Sequence, residues 1–82
     1  DSFGAASPEV TNAYITYSLT EAKQGGLDAE IEASARLASE TRDAYLLALS
    51  TNTLLNAGRT QAGRDAAKRL AELQEADGGF TK

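Results

Sequence analysis

Few residues in this chain are able to do chemistry, and those few sit in patterns that favour structural roles. Asp28 with Glu30, and Glu40 with Asp43, are the close carboxylate pairs that could be imagined as an acid and a base. All four fall at predicted helix starts, where carboxylates meet the exposed amides and the positive end of the helix dipole, so capping is the better reading. Ser50, Thr51 and Thr53 supply hydroxyls, but no base stands near them in sequence to turn one into a nucleophile. Tyr14, Tyr17 and Tyr45 could line an aromatic binding surface; tyrosines at such spacings more often pack helices together with their hydroxyls at the edge, and a core role is expected. Gln74, just before Asp77-Gly78-Gly79, is expected to bond backbone at a helix end.

Composition narrows the chemistry further. The chain has no Cys and no His. It therefore has no thiolate, no disulfide, and neither the commonest general base nor the commonest zinc ligand. No catalytic, cofactor-binding or metal-binding residue is assigned, and the chain is not expected to be an enzyme. Eight basic against twelve acidic residues give a net charge of −4, which argues against nucleic acid or an anionic membrane as partner. Arg59, Arg64, Lys68 and Arg69 gather late, but Asp65 and Glu72 interrupt them, as on a solvated helix face. No stretch approaches the roughly 20 apolar residues of a membrane span. Beginning at Asp1 rather than Met, the chain reads as a mature or excised piece.

The elements that carry these residues are helices, and punctuation divides the 82 residues into four of them, over about 8–23, 28–39, 42–57 and 61–76. Ser7-Pro8 opens the first as cap and first helical residue, and Gly25-Gly26 is expected to stop it. Val10, Ala13, Tyr14 and Tyr17 line one side of it, and Ile15, Leu19 and Ala22 the other. Asp28 is expected to cap the second, whose stripe is Ile31, Ala35 and Ala38. Thr41 is expected to cap the third and Thr60 the fourth. The fourth carries Ala62, Ala66, Leu70 and Leu73 on one face, with Asp65–Arg69 as an i,i+4 ion pair. Gly63 either marks a close approach to a neighbouring helix or weakens this one by about 1 kcal/mol for nothing.

The stretch Ala44–Gly58, AYLLALSTNTLLNAG, holds no charge, and its apolar residues point nearly all round. A helix of that kind is enclosed on both sides. Buried, Thr51 and Thr53 need partners, of which the i−4 carbonyls are the nearest. Two-sided helices thus alternate with one-sided ones. The pattern fits an inner layer of the first and third helices and an outer layer of the second and fourth, joined by short antiparallel connections. A plain four-helix bundle would show four similar stripes, whereas curved stacks of helix pairs give the alternation. Phe3 and Phe80, each beside glycine, flank the two helix pairs in the manner of a repeat.

LAELQEADGGF, Leu70–Phe80, resembles the Leu-x-x-Leu-Gln…Asp-Gly-Gly-Phe turn of α/α-toroid proteins. Asp43–Arg59 and Ser2–Ala22 resemble helical segments of the thioester-containing domain of the alpha-2-macroglobulin family, of bacterial type. The resemblance implies an all-α fold in which two antiparallel helix hairpins form an arc of an α/α toroid, as a fragment of a larger domain. It implies a non-catalytic segment of a secreted or periplasmic protease inhibitor, whose parent entraps proteases. The partners it implies are the rest of the toroid and, through the parent, proteases; the isolated piece is expected to self-associate. The family's thioester Cys-Gly-Glu-Gln motif is missing, and Gln24, Gln61 and Gln74 match none of it, so no functional residue carries over. The alternatives are a fragment of a toroid enzyme of the terpenoid cyclase or prenyltransferase type, and an independent helical interaction module.

Overall fold

In a computed structural model that describes residues 7–77, the described chain is helical throughout, with four helices and no strand. They are α1 (Pro8–Glu21), α2 (Asp28–Glu40), α3 (Ala44–Asn56) and α4 (Thr60–Asp77). Phe3 and Phe80 lie outside the described residues.

Local chemistry explains most of the boundaries. Ser7 caps α1 through a bond from the Val10 amide to its hydroxyl at 3.2 Å, with Pro8 in the first turn as expected. The end of α1 differs from expectation. The Gln24 amide reaches back to the Leu19 carbonyl and the Lys23 amide to that of Thr20, and the left-handed residue is Lys23, at φ 62°, ahead of Gly25. Gly58, at φ 80°, takes the corresponding place after α3, where a side chain would be strained.

Three caps also shift. Leu27, rather than Asp28, occupies the position before α2 and accepts the Ile31 amide on its carbonyl, leaving Asp28 and Glu30 in the first turn. Asp43, rather than Thr41, caps α3, its Oδ1 accepting from the amides of Tyr45 and Leu46 at 2.9 and 3.1 Å. Thr41 ends α2 and accepts the Asp43 amide on its hydroxyl. Thr60 is the first residue of α4, because the Gly63 amide already bonds the Arg59 carbonyl.

The third helix is the centre of the structure. It packs against α1, α2 and α4, while α1 and α4 make no contact with each other. Leu47 and Leu54, completely buried on α3, meet Ile31 and Ala38 of α2 and Ala66 of α4, with Leu70 and Leu73 alongside. A second cluster on α3 joins Leu46 and Leu49 to Ala13 of α1, with Val10, Tyr17 and Leu37 packed against it. The enclosure read from the uncharged sequence holds for Leu46, Leu47, Leu49 and Leu54, which meet three neighbours inside this chain. Tyr45 and Leu55 of the same helix stay about half exposed. The expected inner layer of α1 and α3 together differs from this arrangement, since α1 keeps one side open. The Cα trace measures 41 × 36 × 19 Å, a flat slab about two helices thick.

Polar groups inside the slab are almost all satisfied locally. Thr51 and Thr53 donate to the carbonyls of Leu47 and Leu49 at 2.7 and 2.9 Å, one turn back, as expected. Ser50, also buried, has no partner for its hydroxyl among the described residues. Gly63 marks a close approach of α3 and α4: a Cβ built there would stand 2.4 Å from Leu55 Cδ2. Arg69 crosses between helices and donates from Nη1 to the carbonyls of Ala38 and Thr41, at 3.0 and 2.6 Å. The expected Asp65–Arg69 ion pair is absent, and Asp65 instead accepts from Gln61 at 3.0 Å.

Candidate interaction face

The residues that composition left as chemical candidates are kept apart by the fold. Asp43 is spent on its cap, Asp28 and Glu30 lie exposed in the first turn of α2, and Glu40 is the last residue of that helix. Glu40 therefore stands at a helix end rather than a start, a correction to the capping assigned to it. Ser50, Thr51 and Thr53 are buried in α3. Among the described residues no group of three or more acidic side chains is placed to hold a metal ion, and no helix is long and apolar enough to cross a membrane. Gln74 is exposed within α4, and its side chain makes no hydrogen bond to another described residue.

The late basic residues also disperse. Arg59 pairs with Glu32 at 2.8 Å in a solvent-exposed bridge, Arg69 is committed to carbonyls, and Arg64 and Lys68 face solvent. Exposed pairs of that kind contribute at most about 1 kcal/mol. No continuous basic patch results.

What the fold does assemble is an apolar face on α1. Of the three tyrosines only Tyr17 packs into the core; Tyr14 and Tyr45 are 53% and 55% exposed, and Ile15 is 49% exposed. The core role expected for the tyrosines thus holds for one of them. Tyr14 sits 6.4 Å from Tyr17, ring centre to ring centre, at a tilted angle of 48°. Val10, Thr11, Tyr14, Ile15 and Tyr45 surround a shallow hollow on one flank of α1. On the other flank a groove of about 500 Å³ runs between α1 and α2, with Ile15 common to both.

The groove exists because α1 leans on α3 and meets α2 only briefly. Leu19 packs near Leu27 and Ile31 in one cluster, and Val10 shares the other with Leu37, so the two helices run antiparallel with an open seam. At the connection end, Asn56 of α3 ties α1 down, donating from Nδ2 to Glu21 at 2.8 Å and to Thr20 at 3.3 Å. Sequence reasoning did not single out this groove. The signal that marks it is the run Val10–Thr20, eleven residues without a charge on a helix that is half wet. Solvated faces usually carry charge; this one carries isoleucine, tyrosine and threonine.

No family model, no curated protein and no solved structure matches this chain.

Proposed function

We propose that this chain is a non-catalytic structural segment whose α1 face is covered by further helices of a larger helical domain. The observation that carries the reading is α1 itself: uncharged from Val10 to Thr20, yet leaving Tyr14 and Ile15 about half exposed. Such a helix fits the margin of an array better than the wall of a finished bundle. The segment resemblance given above supplies the context. The array is an arc of an α/α toroid in an alpha-2-macroglobulin-like protease inhibitor, secreted or periplasmic, and entrapment is performed by the parent. The segment contributes packing.

Two experiments test this at its two levels. The isolated chain should bind a hydrophobic dye and self-associate; a monomeric, dye-silent sample with a cooperative melt would refute the incomplete-array reading. The parent, after cleavage by a protease, should shield that protease from large protein substrates while leaving its hydrolysis of small peptides intact. Equal loss of both activities, or of neither, would remove the trap.

A further inference from the structure

We infer that the α1–α2 groove seats an amphipathic helix with an apolar ridge and lysine or arginine at both of its ends. The inference rests on the preceding reading, that another helix covers this face, and adds the charge which that helix must carry. Ile15, Leu19, Ala33 and Leu37 give the groove its apolar lining. Its two carboxylates, Glu9 and Glu30, sit in the first turns of α1 and α2. Because the two helices run antiparallel, those first turns are at opposite ends of the groove. Both side chains are exposed, neither is ion-paired among the described residues, and no basic side chain lines the groove.

An apolar trough with negative charge at each mouth selects an occupant with the opposite pattern. Between Glu9 and Leu19 the helix rises about 15 Å, close to three turns, so the basic residues of the occupant stand about three turns apart on one side. A second copy of this chain fits less well. Its own α1 has no basic residue from Val10 to Thr20, so pairing two copies of α1 would leave Glu9 and Glu30 unmatched on both sides.

The test uses two synthetic helical peptides with the same Leu/Ala ridge, one with lysines at the ends and one with glutamates, and fluorescence anisotropy with the full chain. The lysine-ended peptide should bind about tenfold or more tightly than the glutamate-ended one. Glu9→Gln and Glu30→Gln should each weaken it by about two- to fivefold, the range of an exposed ion pair. Glu72→Gln on α4 should leave binding unchanged, and Ile15→Glu should abolish it while the variant still melts cooperatively, since half of the Ile15 surface is already in water.

Equal binding of both peptides, lost on Ile15→Glu, would overturn the charge assignment while leaving a covered groove. Equal weakening by Glu72→Gln would reduce the effect to general attraction by a chain of net charge −4 and overturn it too. Sedimentation showing a dimer that Ile15→Glu dissolves, with neither peptide binding, would assign the groove to a second copy. No binding together with a dye-silent monomer would sink the covering helix as well as its charge.

Discussion

Replacing Gly63 by alanine sets two effects of known sign against each other. In a helix interior the substitution is worth about 1 kcal/mol of stabilisation, because glycine loses more backbone freedom on folding. The added methyl, however, would stand 2.4 Å from Leu55 Cδ2 and 2.7 Å from its Cγ, with the Leu55 amide nitrogen at 3.4 Å. The backbone distance is tolerable, and the leucine side chain must give way. Overpacking in a core costs about 1–3 kcal/mol. Leu55 is 45% exposed and yields partly towards solvent, so the cost reaches the upper half of that range only if its backbone seat holds it in place. In that case Gly63→Ala alone should destabilise by about 1 kcal/mol. In a domain of this size that lowers the melting temperature by about 4–8 °C. With Leu55 already cut back to alanine the obstacle is gone, and Gly63→Ala should then stabilise by about 1 kcal/mol. The two positions should therefore couple by about 2 kcal/mol in a double-mutant cycle, measured by urea unfolding followed by far-UV circular dichroism. Stabilisation by Gly63→Ala in the unaltered chain, or additivity within about 0.5 kcal/mol, would refute a Leu55 held in place at this approach of α3 and α4.

Removing the Arg69 guanidinium while keeping its stem, in Arg69→Met, should cost about 1.5–3 kcal/mol by urea unfolding, because two carbonyls at the end of α2 lose a charged donor. Gly58→Ala should destabilise by about 1–2 kcal/mol, and Lys23→Gly should stabilise by about 1 kcal/mol, since both positions hold left-handed backbone. Thermal melts of the two variants should move in opposite directions. Ser50→Ala should raise stability by about 1 kcal/mol, because it deletes a buried hydroxyl that has no partner; a drop in melting temperature would mean that the hydroxyl is bonded after all.

The elements that could be read in advance are those whose cause is local. Ser7-Pro8 and the threonines bonded one turn back depend on neighbours within a few residues. The uncharged third helix and the stripes of α2 and α4 are legible because helical periodicity alone sorts their faces. Lys23 shows where that kind of reading fails. Gly25 and Gly26 look like the stop, but the carbonyls of Leu19 and Thr20 close the turn on residues 23 and 24, and the chain accepts a lysine in left-handed backbone there. Thr41 and Asp43 are both capping types two residues apart; the carboxylate reaches two amides, and the hydroxyl supports it from behind. Arg69 had a correctly spaced acid on its own helix and went elsewhere. The carbonyls at the negative end of α2 offer a partly buried pair of acceptors, which outweighs a solvent-exposed i,i+4 contact. The α1–α2 groove was beyond reach because it depends on the angle between helices, and that angle is set by how each one seats on α3.

The uncovered face weighs heavily against the stability of so small a domain. Tyr14 and Tyr45 each keep just over half of their surface in water. For two aromatic side chains that leaves roughly 200 Å² uncovered. At about 25 cal/mol per Å², complete cover would add roughly 5 kcal/mol as an upper bound, comparable with the whole net stability of many small domains. Among the described residues, Leu46, Leu47, Leu49 and Leu54 of α3 are already committed to the packed centre and leave the two tyrosines half uncovered. Under the proposed function, a helix arriving along α1 would draw on that free energy and add a third contact to an element that now leans mainly on α3.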